Sequence, residues 1–234
     1  MKSNIQTTVK SIALLYLFIA LCGGFAFFVG FEALVVSNDI HATTTNILSD
    51  IFTFRLGIVA DGLLLLSEII VTVLLYKLFK PVNKTQAQIA AAARFAMTAL
   101  IGINILNKLI VLELLSGASY LTHFTLQQQE ALAYIFLQAY GYGSLIWGLF
   151  FALHLFIMSR LICTSNFVPK IFAALFFFAS AGYFINSMGL FLLPHYADIL
   201  NTIVLLTIPA ELSLVFWFLF KGINQDAWEK VNAN

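Results

Sequence analysis

The sequence predicts an all-α membrane protein, a bundle of six transmembrane helices joined by short loops with both termini on the cytoplasmic side. Three observations carry that prediction. Hydrophobic residues fill 61% of the 234 positions and charged residues only 10%, whereas a soluble domain has roughly 45–50% and about 25%. The apolar residues gather into six stretches, each long enough for the roughly 20 helical residues that cross a hydrocarbon core of about 30 Å. The basic residues outside those stretches collect on one side of the resulting topology. A chain this apolar has no means of covering its surface in water, and its 24 Phe residues are tolerated all round a helix only where the solvent is lipid.

The spans follow in order. The first, about 11–36, begins after Lys10 and lacks an A-x-A type cleavage site, so it reads as a retained helix and not as a removed leader. Leu21, directly before Cys22, is too bulky for lipoprotein processing. Ser37-Asn38-Asp39 closes this span. The second, about 53–79, stops at Pro81-Val82-Asn83-Lys84, and the third, about 87–115, at the polar stretch Thr122 to Glu130. The fourth, about 131–158, precedes Thr164-Ser165-Asn166; Pro194-His195 separates the fifth, about 170–193, from the sixth, about 197–220. All six belong to a single transmembrane domain over 1–234 in this reading.

Orientation follows from the rule that Lys and Arg stay in the cytoplasm. Lys2 and Lys10, then Lys77, Lys80 and Lys84, then Arg160 and Lys170, and finally Lys221 and Lys230 all fall at one side. The opposite loops, Ser37 to Phe52, Ser116 to Glu130 and Pro194 to Tyr196, contain neither Lys nor Arg. A net charge of +1, with no basic stretch interleaved with aromatics, argues against a nucleic-acid partner. Cys22 and Cys163 fall at different depths or sides, so no disulfide is expected. The partner that composition implies is the lipid bilayer. No cofactor is indicated, and a small-molecule or membrane-protein partner stays open.

The informative residues are polar ones inside the spans. An ionisable group at the bilayer centre costs on the order of 2.5–3.5 kcal/mol on insertion scales, so it usually faces the bundle interior and finds a partner. The second span carries Arg55, Asp61 and Glu68; the third carries Arg94, Asn104, Asn107, Lys108 and Glu113. Together these read as a polar seam. Around a turn centred at Asn83, Asp61 lies 22 residues before and Lys108 25 after, while Glu68 lies 15 before and Arg94 11 after. Each pair is level to within about one helical turn, a gap that long basic side chains span. Around a turn near Thr44, Glu32 is level with Arg55. The spacing therefore predicts three ion pairs: Glu32–Arg55, Asp61–Lys108 and Glu68–Arg94.

Later spans add His154, Asn186 and Glu211 to the candidate intramembrane site. Pro209, two residues before Glu211, should kink the sixth span and free a carbonyl beside a carboxylate. Gly141 and Gly143 in AYGYGS permit close helix approach. His41, His123 and His195 belong to outer loops, away from His154, so no metal site is expected. No nucleophile–base arrangement, phosphate loop or paired-His motif occurs, and no catalytic residue is assigned.

Several separated blocks carry a family likeness: FRLGIVAD (Phe54 to Asp61), LLYKLFKPVNK (Leu74 to Lys84), ARFAMTALIGINILN (Ala93 to Asn107), YGYGSLIWGLFFALHL (Tyr140 to Leu155), GYFINS (Gly182 to Ser187) and ELSLVFWFLFKG (Glu211 to Gly222). In this order, over roughly residues 10 to 222, they resemble the bacterial integral-membrane family known as domain of unknown function 4386. The resemblance implies a multi-pass protein of a bacterial cytoplasmic membrane and supplies no activity. Ala139 departs from the polar residues common before Tyr140-Gly141-Tyr142 in that family, which weakens a catalytic reading there. Three classes fit the sequence. They are a small transporter or permease-like protein with an intramembrane polar site, a membrane sensor or interaction subunit with a structural charge seam, and an intramembrane enzyme acting on a lipid or quinone.

Overall fold

The computed structural model describes residues 5–233. Lys2, counted above with the basic N-terminal tail, lies outside them. The described residues form helices and connecting turns, with no strand among them. Six helices are long and apolar enough to cross a membrane: Ile5–Glu32, Ile51–Phe79, Lys84–Leu114, Leu126–Ser165, Ile171–Leu192 and Pro194–Phe220. Leu21, Phe52, Leu66, Leu192 and Phe220 are among the large apolar side chains left exposed on them, as lipid as a solvent allows. The chain is a multi-pass, all-helical membrane protein.

The first span is not one regular helix. Helix α1 (Ile5–Gly24) passes into a π-helical segment, Phe25–Glu32, whose wider turn rotates the following side chains relative to an α-helical count. That rotation corrects one expectation. Glu32 and Arg55 are both exposed and, among the described residues, form no ion pair. Depth matching assumed a uniform helix leading into a simple hairpin, and neither condition holds. The connection predicted as a loop contains helix α2 (Ile40–Ser49), capped by Asp39, whose Oδ1 accepts from the Ala42 N–H at 2.9 Å.

Helix α3 (Ile51–Phe79) and helix α4 (Lys84–Leu114) match the second and third spans closely. Helix α5 (Leu126–Ser165) has 40 residues, about 60 Å at 1.5 Å per residue, and so runs well past the apolar stretch 131–158. Gln and Glu at its start are good helix formers, and hydrophobicity marks the lipid-immersed part of a helix, not its ends. Arg160, assigned above to a connection, lies on this helix. Helix α6 (Ile171–Leu192) follows. The sixth span breaks into α7 (Ala197–Leu205) and α8 (Ile208–Phe220), with Leu206 and Thr207 between them. A short helix α9 (Gln225–Asn232), capped by Asn224, closes the chain; its Trp228 indole N–H donates to the Leu78 carbonyl at 3.1 Å.

The chain divides into two compact units. The first takes the chain up to Phe18, Ser67–Thr98, and everything from Leu145 onward. Its core includes Ile12, Leu78, Phe79, Leu155, Met158, Leu161 and Phe218. Gln6 ties the two ends of this unit together, donating to the Ile223 carbonyl at 2.7 Å and accepting from the Ile223 N–H at 3.3 Å. The second unit comprises Ile19–Leu66 and Ala99–Ser144. Its core joins Phe31, Leu34, Ile47, Phe54, Val111, Ala133 and Leu137.

Within the second unit, the π-helical segment and α3 touch backbone to backbone. A Cβ added at Gly57 would sit 2.9 Å from the Gly30 Cα, and one at Gly30 would sit 2.7 Å from the Gly57 Cα. Neither contact can be relieved by a rotamer change. Gly57→Ala is therefore expected to destabilise the protein by about 1–3 kcal/mol through overpacking. Gly62→Ala on the same helix, where a Cβ meets nothing within 4 Å, should be neutral or slightly stabilising. Thermal unfolding of the two purified variants checks the contrast; equal behaviour would remove the contact from the account.

Candidate functional site

The ten candidate residues divide between the units. Arg55, Asp61, Asn104, Asn107 and Lys108 lie in the second unit, and Glu68, Arg94, His154, Asn186 and Glu211 in the first. The seam read from the sequence thus consists of two clusters, each with its own ion pair.

In the second unit, α4 presents Lys108 and α3 presents Asp61, and Lys108 Nζ donates to Asp61 Oδ2 at 2.8 Å. The ammonium lies 4.4 Å from the Tyr140 ring centroid and 5.5 Å from that of Phe31, placing it in an aromatic-walled slot that attracts cations. Asn104 donates to Ser144 Oγ at 3.4 Å, while its own Oδ1 is buried without a hydrogen-bond partner. A Cβ at Gly143 would come within 2.1 Å of that oxygen, so the glycine provides the room in which the amide sits. Asn107 is half-buried, and Arg55 is exposed. Glu113 is also exposed and accepts a hydrogen bond from the Tyr120 hydroxyl.

The first unit is built around Arg94, which is 1% exposed. Its Nη2 lies 2.7 Å from Glu68 Oε2, and its Nη1 donates to the Tyr16 hydroxyl at 2.7 Å and to His154 Nε2 at 3.2 Å. The guanidinium carbon stands 4.8 Å from the Tyr16 ring centroid. His154 Nδ1 is 2.9 Å from the Ala90 carbonyl oxygen. A carbonyl cannot donate, so Nδ1 carries the proton, Nε2 offers its lone pair to Arg94, and the imidazole is neutral. Four helices therefore meet at one guanidinium: α1 through Tyr16, α3 through Glu68, α4 through Arg94 itself and α5 through His154. Arg94 Nε is the one nitrogen of the group that is buried without a partner.

Glu211 completes this cluster on its own terms. It stands in the first turn of α8, half-buried, with Oε1 3.4 Å from Thr207 Oγ1 and the Tyr183 hydroxyl hydrogen-bonded to its carboxyl group. It lines a small cavity with Tyr16, Phe151, Phe176, Val215 and Phe218. Asn186 donates to Asn201 Oδ1 at 3.1 Å. Tyr16, Tyr183 and Thr207 were missed by sequence reasoning, which searched the spans for charges and amides. The usable signal was each one's hydroxyl in an otherwise apolar run. Among the described residues, His, Cys, Asp and Glu do not gather in groups of three or more able to hold a metal ion.

A family model described as Domain of unknown function (DUF4386) matches residues 12–222. The chain belongs to that family. An uncharacterised protein of Archaeoglobus fulgidus is 26% identical to this DUF4386 chain over 166 residues, covering 71% of this chain and 83% of that protein. No solved structure matches it. The DUF4386 match spans both clusters, from Tyr16 to Glu211.

The Asp61–Lys108 pair makes a sharp expectation. In the DUF4386 chain, Asp61→Asn or Lys108→Met alone strands one buried charge and should destabilise by about 3–5 kcal/mol, whereas the double variant should recover most of that loss. Unfolding of all three in detergent checks it, and strictly additive losses would mean that the two groups do not interact.

Proposed function

We propose that this DUF4386 chain is a small permease-like protein of a bacterial cytoplasmic membrane, both termini inside, whose intramembrane site is the cluster of Tyr16, Glu68, Arg94, His154 and Glu211. The observation that carries the reading is the break in the sixth span. Between α7 and α8 the helix stops and restarts, and the restart presents Glu211 to a cavity shared with Tyr16. Discontinuous spans that carry a polar group at the break are how many transporters build their midplane sites. Pro209 has no N–H, so the Leu205 carbonyl lacks its helical donor, and irregular backbone in a membrane is tolerated where it is buried in protein or lines a cavity.

A second reading, a sensor or interaction subunit with a structural charge pair, draws its support from the second unit. Lys108 there has a carboxylate and two aromatic faces, which leaves that cation little to offer a ligand. An intramembrane enzyme has no comparable support from the geometry.

The test is thermal stability of the detergent-purified protein across a library of small molecules and lipids. At least one compound is expected to stabilise the wild type, by about 2.7 kcal/mol when present at 100 times its dissociation constant. That effect should vanish in Glu211→Gln and survive in the Asp61→Asn, Lys108→Met double variant. A library without any stabilising compound, together with a co-purifying membrane protein, would replace the permease reading by the second one.

A further inference from the structure

Beside Arg94 the first unit holds a second cavity, drawn out along three helices. On α3 it runs from Thr72 to Phe79, on α4 from Arg94 back to Ala87, and on α5 from His154 to Leu161. Each run advances by seven residues, two helical turns or about 10 Å, and all three lead toward the turn between α3 and α4. The α4 wall is alanine at Ala87, Ala90 and Ala91, which leaves space that larger side chains would fill. Phe79 stands at the far end, its ring centroid 5.5 Å from that of Phe167. The near end is polar, with Arg94, Thr72 and His154 contributed by three different helices.

Hydrogen positions show what that near end offers. The two terminal nitrogens of Arg94 face Tyr16, His154 and Glu68, but the buried Nε has no hydrogen-bond partner. Leaving an N–H of a charged group unbonded out of water is costly. His154 cannot take it, since Nδ1 is bonded to the Ala90 carbonyl and Nε2 to Arg94. Thr72 is buried as well, and its Oγ1 gives its one proton to the Glu68 carbonyl at 2.6 Å. Its lone pairs are therefore ready to accept. The residues of the wall thus hold one unused donor and one unused acceptor, with Tyr76 as a further polar side chain. The cavity has room for about one water molecule. An anion is disfavoured there because Glu68 already balances Arg94, and a cation because the unused donor is itself part of a positive group.

We infer that this cavity binds one water molecule, which accepts a hydrogen bond from Arg94 Nε and donates one to Thr72 Oγ1. Buried waters satisfy polar groups that the chain itself leaves unpaired, and this one completes the shell of the guanidinium. It belongs to the protein interior and leaves Arg94 out of reach of bulk solvent. Thr72 follows Glu68 by four residues on α3, so the water joins α3 to α4 one turn beyond the ion pair. The site makes no use of Glu211 or of the cavity beside it. The inference therefore goes beyond the permease reading and does not rest on it.

The experiment is X-ray radiolysis of the full-length protein in detergent, with oxidised residues mapped by mass spectrometry. A brief pulse ionises a bound water and leaves a hydroxyl radical, which attacks the nearest side chains; methionine is readily oxidised to the sulfoxide. Met158 lines the cavity and is 2% exposed, while Met97 is fully buried and lies off it. Glycerol, too large for the cavity, scavenges radicals formed in bulk solvent. With glycerol present, Met158 should be oxidised several-fold faster than Met97, and Thr72→Val should bring Met158 down toward the Met97 rate. Equal, slow oxidation of the two methionines in the wild type would overturn the inference, whether or not the variant folds. Fast oxidation of Met158 that Thr72→Val leaves unchanged would overturn it too, because the water would then have another partner. Failure of the permease reading in the compound library would leave these rates as they are.

Discussion

A guanidinium sealed away from water governs the first unit. Arg94 cannot shed its charge, and in a medium without water each of its donors needs a partner from the protein. Glu68, Tyr16 and His154 supply partners for the two terminal nitrogens from three other helices, while Nε is left without one. The energetic return is modest, because desolvation opposes most of the attraction in a buried pair. The return in specificity is larger. Sliding α3 by one turn, about 5.4 Å, would carry Glu68 out of reach of the guanidinium, and rotating α5 would withdraw the His154 lone pair. The arrangement therefore selects one packing of four helices among many that lipid would otherwise permit, since apolar faces in a bilayer have little preference for one another.

The second unit meets the same constraint with a different residue. A lysine ammonium is a compact, strongly hydrated charge, and here it is held by one carboxylate and two ring faces. Backbone contact at Gly30 and Gly57 allows the π-helical segment and α3 to approach closely enough for Phe31 to reach the ammonium. Packing and electrostatics are thus coupled: the small residues that bring the chain segments together also set the walls of the charged slot.

Glu211 is the departure from this pattern of closed pairs. It sits at a helix restart, where Pro209 has no N–H and the N–H groups of Ala210 and Glu211 both donate to the Thr207 carbonyl. Thr207, just before that restart, bonds back to Val204 and helps to end α7. A broken helix, a carboxylate and a small aromatic-walled cavity coincide there. The permease proposal rests on that coincidence more than on either complete ion pair.

Composition and charge order along the chain determined the class, the six membrane-crossing helices and two of the ion pairs. These properties depend on how each stretch partitions between water and lipid and on depth along the bilayer normal, both of which can be counted residue by residue. The tertiary structure alone decided the rest. Tyr16 and Tyr183 joined the charged cluster because their helices face it, and Thr207 because it stands at the break before α8; helix rotation is invisible in spans that are apolar nearly all round. Glu32 missed Arg55 because a π-helical turn shifts the angular phase of every residue after it. Helices α2 and α9 lie outside the apolar stretches and depend on Asp39 and Asn224 caps, while the cut between α7 and α8 required knowing that Pro209 would break its span instead of bending it. Depth is a property of one segment and is written in the sequence. Facing is a property of two segments and exists only once they pack.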